Sequence, residues 1–291
     1  MIETSSQDDP ARATDQPFTG VRLLKAVVLD WAGTTQDFGS MAPVGAFVEV
    51  FRRFGVSITA AQARGPMGLY KLDHIRALAA DPAIARDWSK VHMRPIYEDD
   101  VLEMYETSKT IQEDILPSYL RLIPGTLQAV AEIRERGYRV ASTTGYPRSA
   151  GAIAAEGARR QGYEPDVMIC ADEVSAGRPE PWMLLRALEA LRIYPPASVV
   201  KVGDTKADIG EGLNAGAWTV GISRTGNFVG LAEEELASLP VAVQRQLVDS
   251  AAERLRAAGA HYVIESIAEL PRALDDIERR MAAGERPGAG I

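Results

Sequence analysis

Two short apolar runs in this chain end in aspartate. Lys25-Ala-Val-Val-Leu29 leads into Asp30, and Ser198-Val-Val-Lys-Val202 leads through Gly203 into Asp204. If both runs are parallel strands, the two carboxylates fall at the carboxyl edge of one sheet, where open α/β sheets bind ligands. Such neighbours repel each other unless a hard cation lies between them. Mg²⁺ takes oxygen ligands, keeps several waters and so needs few protein carboxylates. Asp208, four residues after Asp204, stands at the start of the next helical pattern, placed to support the pair from behind. The segment Asp30-Trp-Ala-Gly-Thr-Thr35 offers a nucleophilic carboxylate, then Gly33 and backbone N–H groups able to hold anionic oxygens. A third run, Tyr138–Ser142, leads into Thr143-Thr-Gly-Tyr146, where Thr144 brings a hydroxyl and Gly145 an N–H. Arg178, in Gly177-Arg-Pro-Glu-Pro181, adds a fixed positive charge. Each residue alone has an ordinary reading, Thr144 as a helix cap or Arg178 as a surface ion pair. Their shared place at strand ends makes them a candidate site.

The elements that must carry these residues follow from the same pattern. Val167–Cys170, Trp218–Ile222 and His261–Ile264 complete a set of short β-branched runs. Amphipathic stretches at Thr126–Arg136, Pro181–Leu191 and Asp208–Ala215 lie between most of them. This alternation predicts an α/β fold with a doubly wound parallel sheet. The rhythm breaks once, from about residue 39 to 119, where only helical periodicity is found. Helices are expected over Ala46–Phe54, Lys71–Ala80, Ile84–Val91 and Ile96–Gln112, punctuated by Pro43, Gly65-Pro66, Pro82 and Pro95. The expected organisation is therefore a core formed by residues 21–38 and 120–291, with an all-helical domain, 39–119, inserted after the first strand. Leu231–Ala258 also reads as helical, with Glu233, Glu234, Glu235, Arg245, Arg254 and Arg256 on a solvated face. No internal repeat is present.

Composition narrows the functional classes. The chain has 291 residues, 46% of them hydrophobic and 25% charged, enough for a sizeable core without disulfide or metal staples. A net charge of -8 argues against general affinity for nucleic acid or anionic membranes. A single cysteine, Cys170, permits no intrachain disulfide and fits a cytoplasmic protein. No run of 18 apolar residues suggests a membrane span. Residues 1–20 read as a disordered extension, and so does Gly284–Ile291.

Taken together, Asp30-Trp-Ala-Gly-Thr34, Ser142-Thr-Thr-Gly145, Arg178 and Gly203-Asp204-Thr-Lys-Ala-Asp208 resemble the four motifs of the haloacid dehalogenase superfamily. The resemblance runs from Leu24 to about Ile267. It implies a Rossmann-like core with a helical cap, aspartyl-phosphate chemistry and Mg²⁺. One departure is informative. Phosphatases of the superfamily carry a second aspartate two positions after the nucleophile, to protonate the leaving alcohol, and here that position is Ala32, which has no proton to give. The inserted helices offer a substitute in Gly65-Pro-Met-Gly-Leu-Tyr-Lys-Leu-Asp-His74. A lysine imine accepts the electron pair of a breaking bond as an enamine, so no acid is needed on oxygen. His74, three residues after Lys71, shares its helical face and is placed to move protons. Without that setting, Lys71 reads as an exposed helical lysine and His74 as a partly buried histidine.

Within the superfamily, Asp30-Trp-Ala-Gly-Thr-Thr35 paired with Pro66-Met-Gly-Leu-x-Lys71-x-x-His74 resembles the phosphonoacetaldehyde hydrolases. That resemblance implies Asp30 as nucleophile at phosphorus, Lys71 as Schiff base, and Mg²⁺ held by Asp30, the Ala32 carbonyl and Asp204. It implies phosphonate contacts from Thr144, Gly145 and Arg178, and an aldehyde end shaped by Met67, Gly68, His74 and Tyr146. It further implies a homodimer acting in phosphonate degradation on a small-molecule substrate. Ser40 stands where the family commonly has cysteine, and reads as a turn or helix-cap residue. The competing expectations are a dehalogenase or other phosphatase of the superfamily, and a non-catalytic phosphonate sensor.

Overall fold

The computed structural model describes residues 23–288. The extension expected over residues 1–20 lies outside them. The strands are β1 (Ala26–Leu29), β2 (Arg139–Thr144), β3 (Val167–Cys170), β4 (Val199–Gly203), β5 (Trp218–Ile222) and β6 (Tyr262–Ile264). They form one sheet in the order β3-β2-β1-β4-β5-β6, with every neighbouring pair parallel. Because both faces of a parallel sheet are covered, its strands carry apolar residues on both sides. β1 is accordingly Ala-Val-Val-Leu, buried throughout.

Between β1 and β2 come α1 (Met41–Arg53), α2 (Ala60–Arg64), α3 (Lys71–Ala79), α4 (Pro82–His92), α5 (Glu98–Ile115) and α6 (Thr126–Glu135). α7 (Arg148–Arg159), α8 (Trp182–Leu191), α9 (Lys206–Ala215), α10 (Glu233–Ser238), α11 (Val241–Ala257) and α12 (Leu270–Ala282) complete the core. The helices α1–α5 have an apolar centre of their own, built on Phe47, Phe51, Ile75, Ile84, Trp88 and Met104. Burying such side chains contributes roughly 1.5–3 kcal/mol each, so the inserted layer holds itself together rather than lying on the sheet as loops. Among the described residues, no helix is long and apolar enough to cross a membrane.

Three local expectations are corrected. α1 begins at Met41, five residues before the expected Ala46, because Pro43 sits in its first turn, where a missing N–H costs nothing. The helix over Leu231–Ala258 is two helices, interrupted at Leu239-Pro240. Strand β2 runs through Thr143 and Thr144 rather than ending before them.

Candidate functional site

The order of the sheet places β1 beside β4, with Leu29 opposite Val202, so Asp30 and Asp204 emerge side by side where the winding direction reverses. Both are buried. Asp208 joins them: one oxygen from each of the three carboxylates lies within 4.8 Å of the others. Asp208 is held there by a capping box. Its Oδ2 accepts from the Thr205 N–H (3.2 Å) and hydroxyl (2.6 Å), while Thr205 Oγ1 accepts from the Asp208 N–H (3.2 Å), fixing the start of α9.

The charges around the three aspartates are unequal. Asp208 Oδ1 lies 2.9 Å from Arg178 Nη1 and 3.0 Å from Lys201 Nζ. Burial pushes its pKa up, but these two cations outweigh that and hold it below the usual value. Asp30 has only Arg178 Nη1, at 2.9 Å. Burial and the nearby Asp208 raise its pKa. Asp204 Oδ2 accepts the Asn227 N–H at 2.6 Å, while its Oδ1 is buried without a partner. Burial, then Asp30 and Asp208, push the Asp204 pKa well above the usual carboxylate value.

This arrangement fits a divalent cation. Asp30, Asp208 and Glu211 contact Arg178, and Asp208 and Glu211 also contact Lys201, whereas Asp204 contacts neither. A cation beside Asp204 would offset the repulsion from Asp30 and Asp208 that helps raise its pKa. Since Asp208 is engaged by Arg178, Lys201 and Thr205, the carboxylate oxygens left to face an ion are those of Asp30 and the orphaned Oδ1 of Asp204. Gly33, at φ 78°, makes the close approach feasible. A Cβ there would stand 2.3 Å from Asp204 Oδ2.

A cavity opens over these carboxylates. The core contributes Asp30, Ala32, Thr144, Gly145, Tyr146 and Asp204 to its wall, and the inserted layer contributes Ser40, Met67, Gly68 and Lys71. Lys71 is the first residue of α3 and is 4% exposed. Its Nζ lies 5.1 Å from the Phe47 ring centre and 5.2 Å from that of Tyr146. Burial lowers its pKa to about 8, with Asp30 opposing the shift. An amine in that range is still mostly protonated at pH 7, but its neutral fraction there is far larger than that of an ordinary lysine, and that fraction is able to attack a carbonyl. Tyr146 carries a buried hydroxyl without a partner, and burial pushes its pKa well above 10.0.

Two expected residues, His74 and Arg178, sit differently from their anticipated places. His74 is fully buried, stacked on Phe47 with ring centres 3.7 Å apart, and is absent from the cavity wall. Its Nε2 lies 2.9 Å from the Ala63 carbonyl, leaving Nδ1 unpartnered. Burial and Lys71 push its pKa well below 6.5, so the ring is neutral and stands behind the amine. Arg178 lines the cavity, yet each of its terminal nitrogens already faces protein oxygen. Nη1 contacts Asp30 and Asp208, Nε donates to Glu211 (2.9 Å), and Nη2 donates to the Thr143 carbonyl (2.7 Å) and hydroxyl (2.8 Å). Ser40 takes the expected place, in a turn closed by its N–H on the Asp37 carbonyl (2.9 Å) and at the N-cap position of α1, and it also lines the cavity, but its side chain makes no cap bond. The first N–H groups of α1 go instead to the Asp37 carboxylate, from Met41 and Ala42 at 3.0 Å each.

The sequence reading missed Lys201 and Glu211. Lys201 lies in the middle of β4 and Glu211 in α9, and both are wholly buried. The visible signal was a lysine inside an otherwise apolar central strand. It also missed Arg64, whose guanidinium donates to the Gly39 (2.8 Å) and Gly230 (2.8 Å) carbonyls and to Asn227 Oδ1 (3.2 Å). That clasp ties α2 to the loop carrying Asn227, the residue whose N–H holds Asp204.

A family model of haloacid dehalogenase-like hydrolases matches residues 24–216, and the chain belongs to that family. Closer relatives narrow the placement. The chain is 43% identical to a phosphonoacetaldehyde hydrolase-like protein of Syntrophobacter fumaroxidans, covering 91% of this chain and 95% of the relative. It is 44% identical to a phosphonoacetaldehyde hydrolase of Bacillus cytotoxicus, over 88% of this chain and 97% of that one. The crystal structure of a phosphonoacetaldehyde hydrolase-like protein from Oleispira antarctica superposes with a TM-score of 0.90 at 39% identity, covering 95% of this chain and all of the other.

Proposed function

We propose that this chain hydrolyses the C–P bond of phosphonoacetaldehyde to acetaldehyde and phosphate, with Lys71 forming an imine and Asp30 accepting the phosphoryl group. The observation that carries the reading is Lys71, a buried amine of lowered pKa in the same cavity wall as Asp30, in a chain whose general-acid position is Ala32.

The unprotonated Lys71 amine adds to the aldehyde, water leaves, and a protonated imine forms. Asp30 then attacks phosphorus. The C–P bond breaks, and its electron pair moves into the carbon chain to give an enamine, neutralising the iminium nitrogen. No proton is delivered to a leaving oxygen, which is why Ala32 suffices. Water attacks the aspartyl phosphate, releasing phosphate and restoring Asp30. The enamine takes a proton on carbon, and hydrolysis returns acetaldehyde and free Lys71. Mg²⁺, held by Asp30, Asp204 and the Ala32 carbonyl, would supply positive charge against the phosphonate oxygens. Thr144 and Gly145 bind that end of the substrate, while Met67, Gly68 and Tyr146 enclose the aldehyde end. Arg178, in the cavity wall, orients Asp30 and meets the phosphonate, and His74 acts through Lys71 as a neutral acceptor beside it. Asp208 supports Arg178 from the core.

Residues 39–119 act as a cap whose closure on the core (21–38 and 120–291) completes the cavity and excludes water. The same reading carries a homodimer, to be checked by analytical ultracentrifugation. It also carries a cytoplasmic location, in keeping with the single cysteine, Cys170, being free.

The deciding test is acetaldehyde release from phosphonoacetaldehyde with Mg²⁺ by wild type and Lys71→Arg. Release by the wild type alone supports substrate and imine together. Release by both removes the imine from the mechanism, and a silent, folded wild type removes the substrate.

A further inference from the structure

Lys201 and Glu211 form a buried pair for which the chemistry above has no use. Lys201 sits opposite Val28 of β1 and Thr219 of β5, on a strand flanked on both sides, where an apolar residue is the ordinary choice. Its ammonium meets three acceptors: Thr143 Oγ1 at 2.9 Å, Asp208 Oδ1 at 3.0 Å and Glu211 Oε2 at 3.1 Å. Glu211 lies three residues after Asp208, on the same side of α9. Its Oε2 accepts from Arg178 Nε (2.9 Å) and from the Thr143 hydroxyl (3.1 Å) as well as from Lys201. Neither residue, nor Thr143, lines the cavity.

Buried ion pairs are a poor route to stability, because desolvating two charges cancels most of their attraction. A reason for this one lies in what it encloses. Arg178 has a flexible side chain and reaches Asp30 through one nitrogen only. Glu211 fixes its Nε edge, and Thr143 fixes its Nη2 edge. Lys201, bonded to Glu211, Thr143 and Asp208, sets the positions of all three relative to one another. The guanidinium is thereby aimed so that Nη1 reaches Asp30 and Asp208 together.

We propose that Lys201 and Glu211 are positioning residues that act through Arg178 to set the attack direction of the Asp30 carboxylate on phosphorus. The proposal rests on the reading of Asp30 as nucleophile. A misaligned nucleophile slows the chemical step while leaving substrate binding nearly intact, and displacements near 1 Å cost on the order of a hundredfold. The signature is therefore in kcat and not in KM.

Removing one charge alone strands the other in the interior, so the informative variant removes both. The full-length Lys201→Met/Glu211→Gln enzyme, assayed with Mg²⁺ and phosphonoacetaldehyde, is expected to fold and to lose roughly 10- to 100-fold in kcat with KM within about twofold of wild type. Thr143→Val removes only the shared hydroxyl at nearly constant volume, and is expected to lose several-fold in kcat with KM unchanged. It decides the matter if the double variant does not fold. Wild-type kcat per folded molecule in either variant overturns the proposal, as does a raised KM with unchanged kcat. A purely structural pair would lower the melting temperature and leave both constants alone. A wild type that releases no acetaldehyde brings down the substrate assignment itself, an outcome distinct from equal rates in wild type and variants.

Discussion

Replacing Lys71 by methionine is expected to stabilise the protein while abolishing its activity. The amine is 4% exposed and its pKa falls from 10.5 to about 8 on folding. At about 1.4 kcal/mol per pH unit, that shift corresponds to roughly 3.5 kcal/mol of destabilisation whenever the amine is charged in both states. Below pH 8 both folded and unfolded chains carry the proton, and the whole penalty applies. Between 8 and 10.5 only the unfolded chain holds it, so stability rises with pH. Above 10.5 neither does, and the penalty is gone. The contacts of Nζ with the Phe47 and Tyr146 rings work the other way, returning about 0.5–2 kcal/mol to the charged form. Methionine has a similar volume, carries no charge and suits an aromatic setting. The net gain for Lys71→Met at pH 7 is then about 1–3 kcal/mol, or roughly 2–4 °C in Tm per kcal/mol for a protein near this size. Paired calorimetric scans of wild type and variant from pH 7 to 10.5 measure it. The reasoning fails if Lys71→Met melts at or below wild type at pH 7, or if the difference does not shrink as pH rises from 8 to 10.5.

Asp204→Asn should raise the melting temperature of the metal-free protein, since it removes a buried carboxylate whose ionised form is disfavoured and whose Oδ1 has no partner. It should also abolish the stabilisation that added Mg²⁺ gives the wild type, which thermal melts with and without Mg²⁺ will read. Chelation should stop acetaldehyde release by the wild type, and Mg²⁺ should restore it. Absence of any Mg²⁺ effect would point to dehalogenase-type chemistry instead. Gly68→Ala puts a Cβ at φ 93° and 2.2 Å from Thr205 Oγ1, the hydroxyl that caps α9, so kcat/KM should fall at least about tenfold and the backbone strain should cost about 1–2 kcal/mol. Steady-state kinetics and a melt check both. Arg64→Ala releases the contacts to Gly39, Gly230 and Asn227 and should weaken Mg²⁺ binding, measured by calorimetric titration, although Arg64 touches none of the carboxylates.

The sheet and its reactive edge were legible because chemistry and periodicity coincide there. Asp30 and Asp204 follow β-branched runs, and the rule that parallel strands present ligands at their carboxyl ends places both without side-chain coordinates. Lys71 was legible only jointly with Ala32, since a helical lysine alone says nothing. Direction of approach was not readable. Three-residue spacing puts His74 on the face of Lys71, but cannot tell whether the ring points into a cavity or packs on Phe47 behind it. Arg178 was visible as a charge, while its partners depend on Glu211 and Thr143, contributed by α9 and β2. Pro43 reads as punctuation in the sequence because proline breaks helix interiors. In the first turn it does not, and Asp37 supplies the cap from outside the helix. Glu211 looked like an ordinary helical glutamate, since burial of a charge depends on partners distant in sequence.

Arg64 and Asn227 bear on how such enzymes diversify. Asn227 holds Asp204 by its backbone and grips Arg64 by its side chain, and its amide also donates to the Arg64 carbonyl at 3.3 Å. An inserted helical layer is an obvious unit to exchange between relatives, since its ends lie close together on the core and its apolar centre is its own. Here exchange would not be free. A transplanted layer lacking an arginine at this place would remove one anchor of the loop after β5, which forms one wall of the carboxylate cluster, leaving the Thr225 hydroxyl on the Gly33 carbonyl as another. Recombination that respects function would have to move two segments far apart in the chain together, the one around residue 64 and the one around residue 227. Chimeras built with and without the second segment would show whether the natural module is larger than the visible domain.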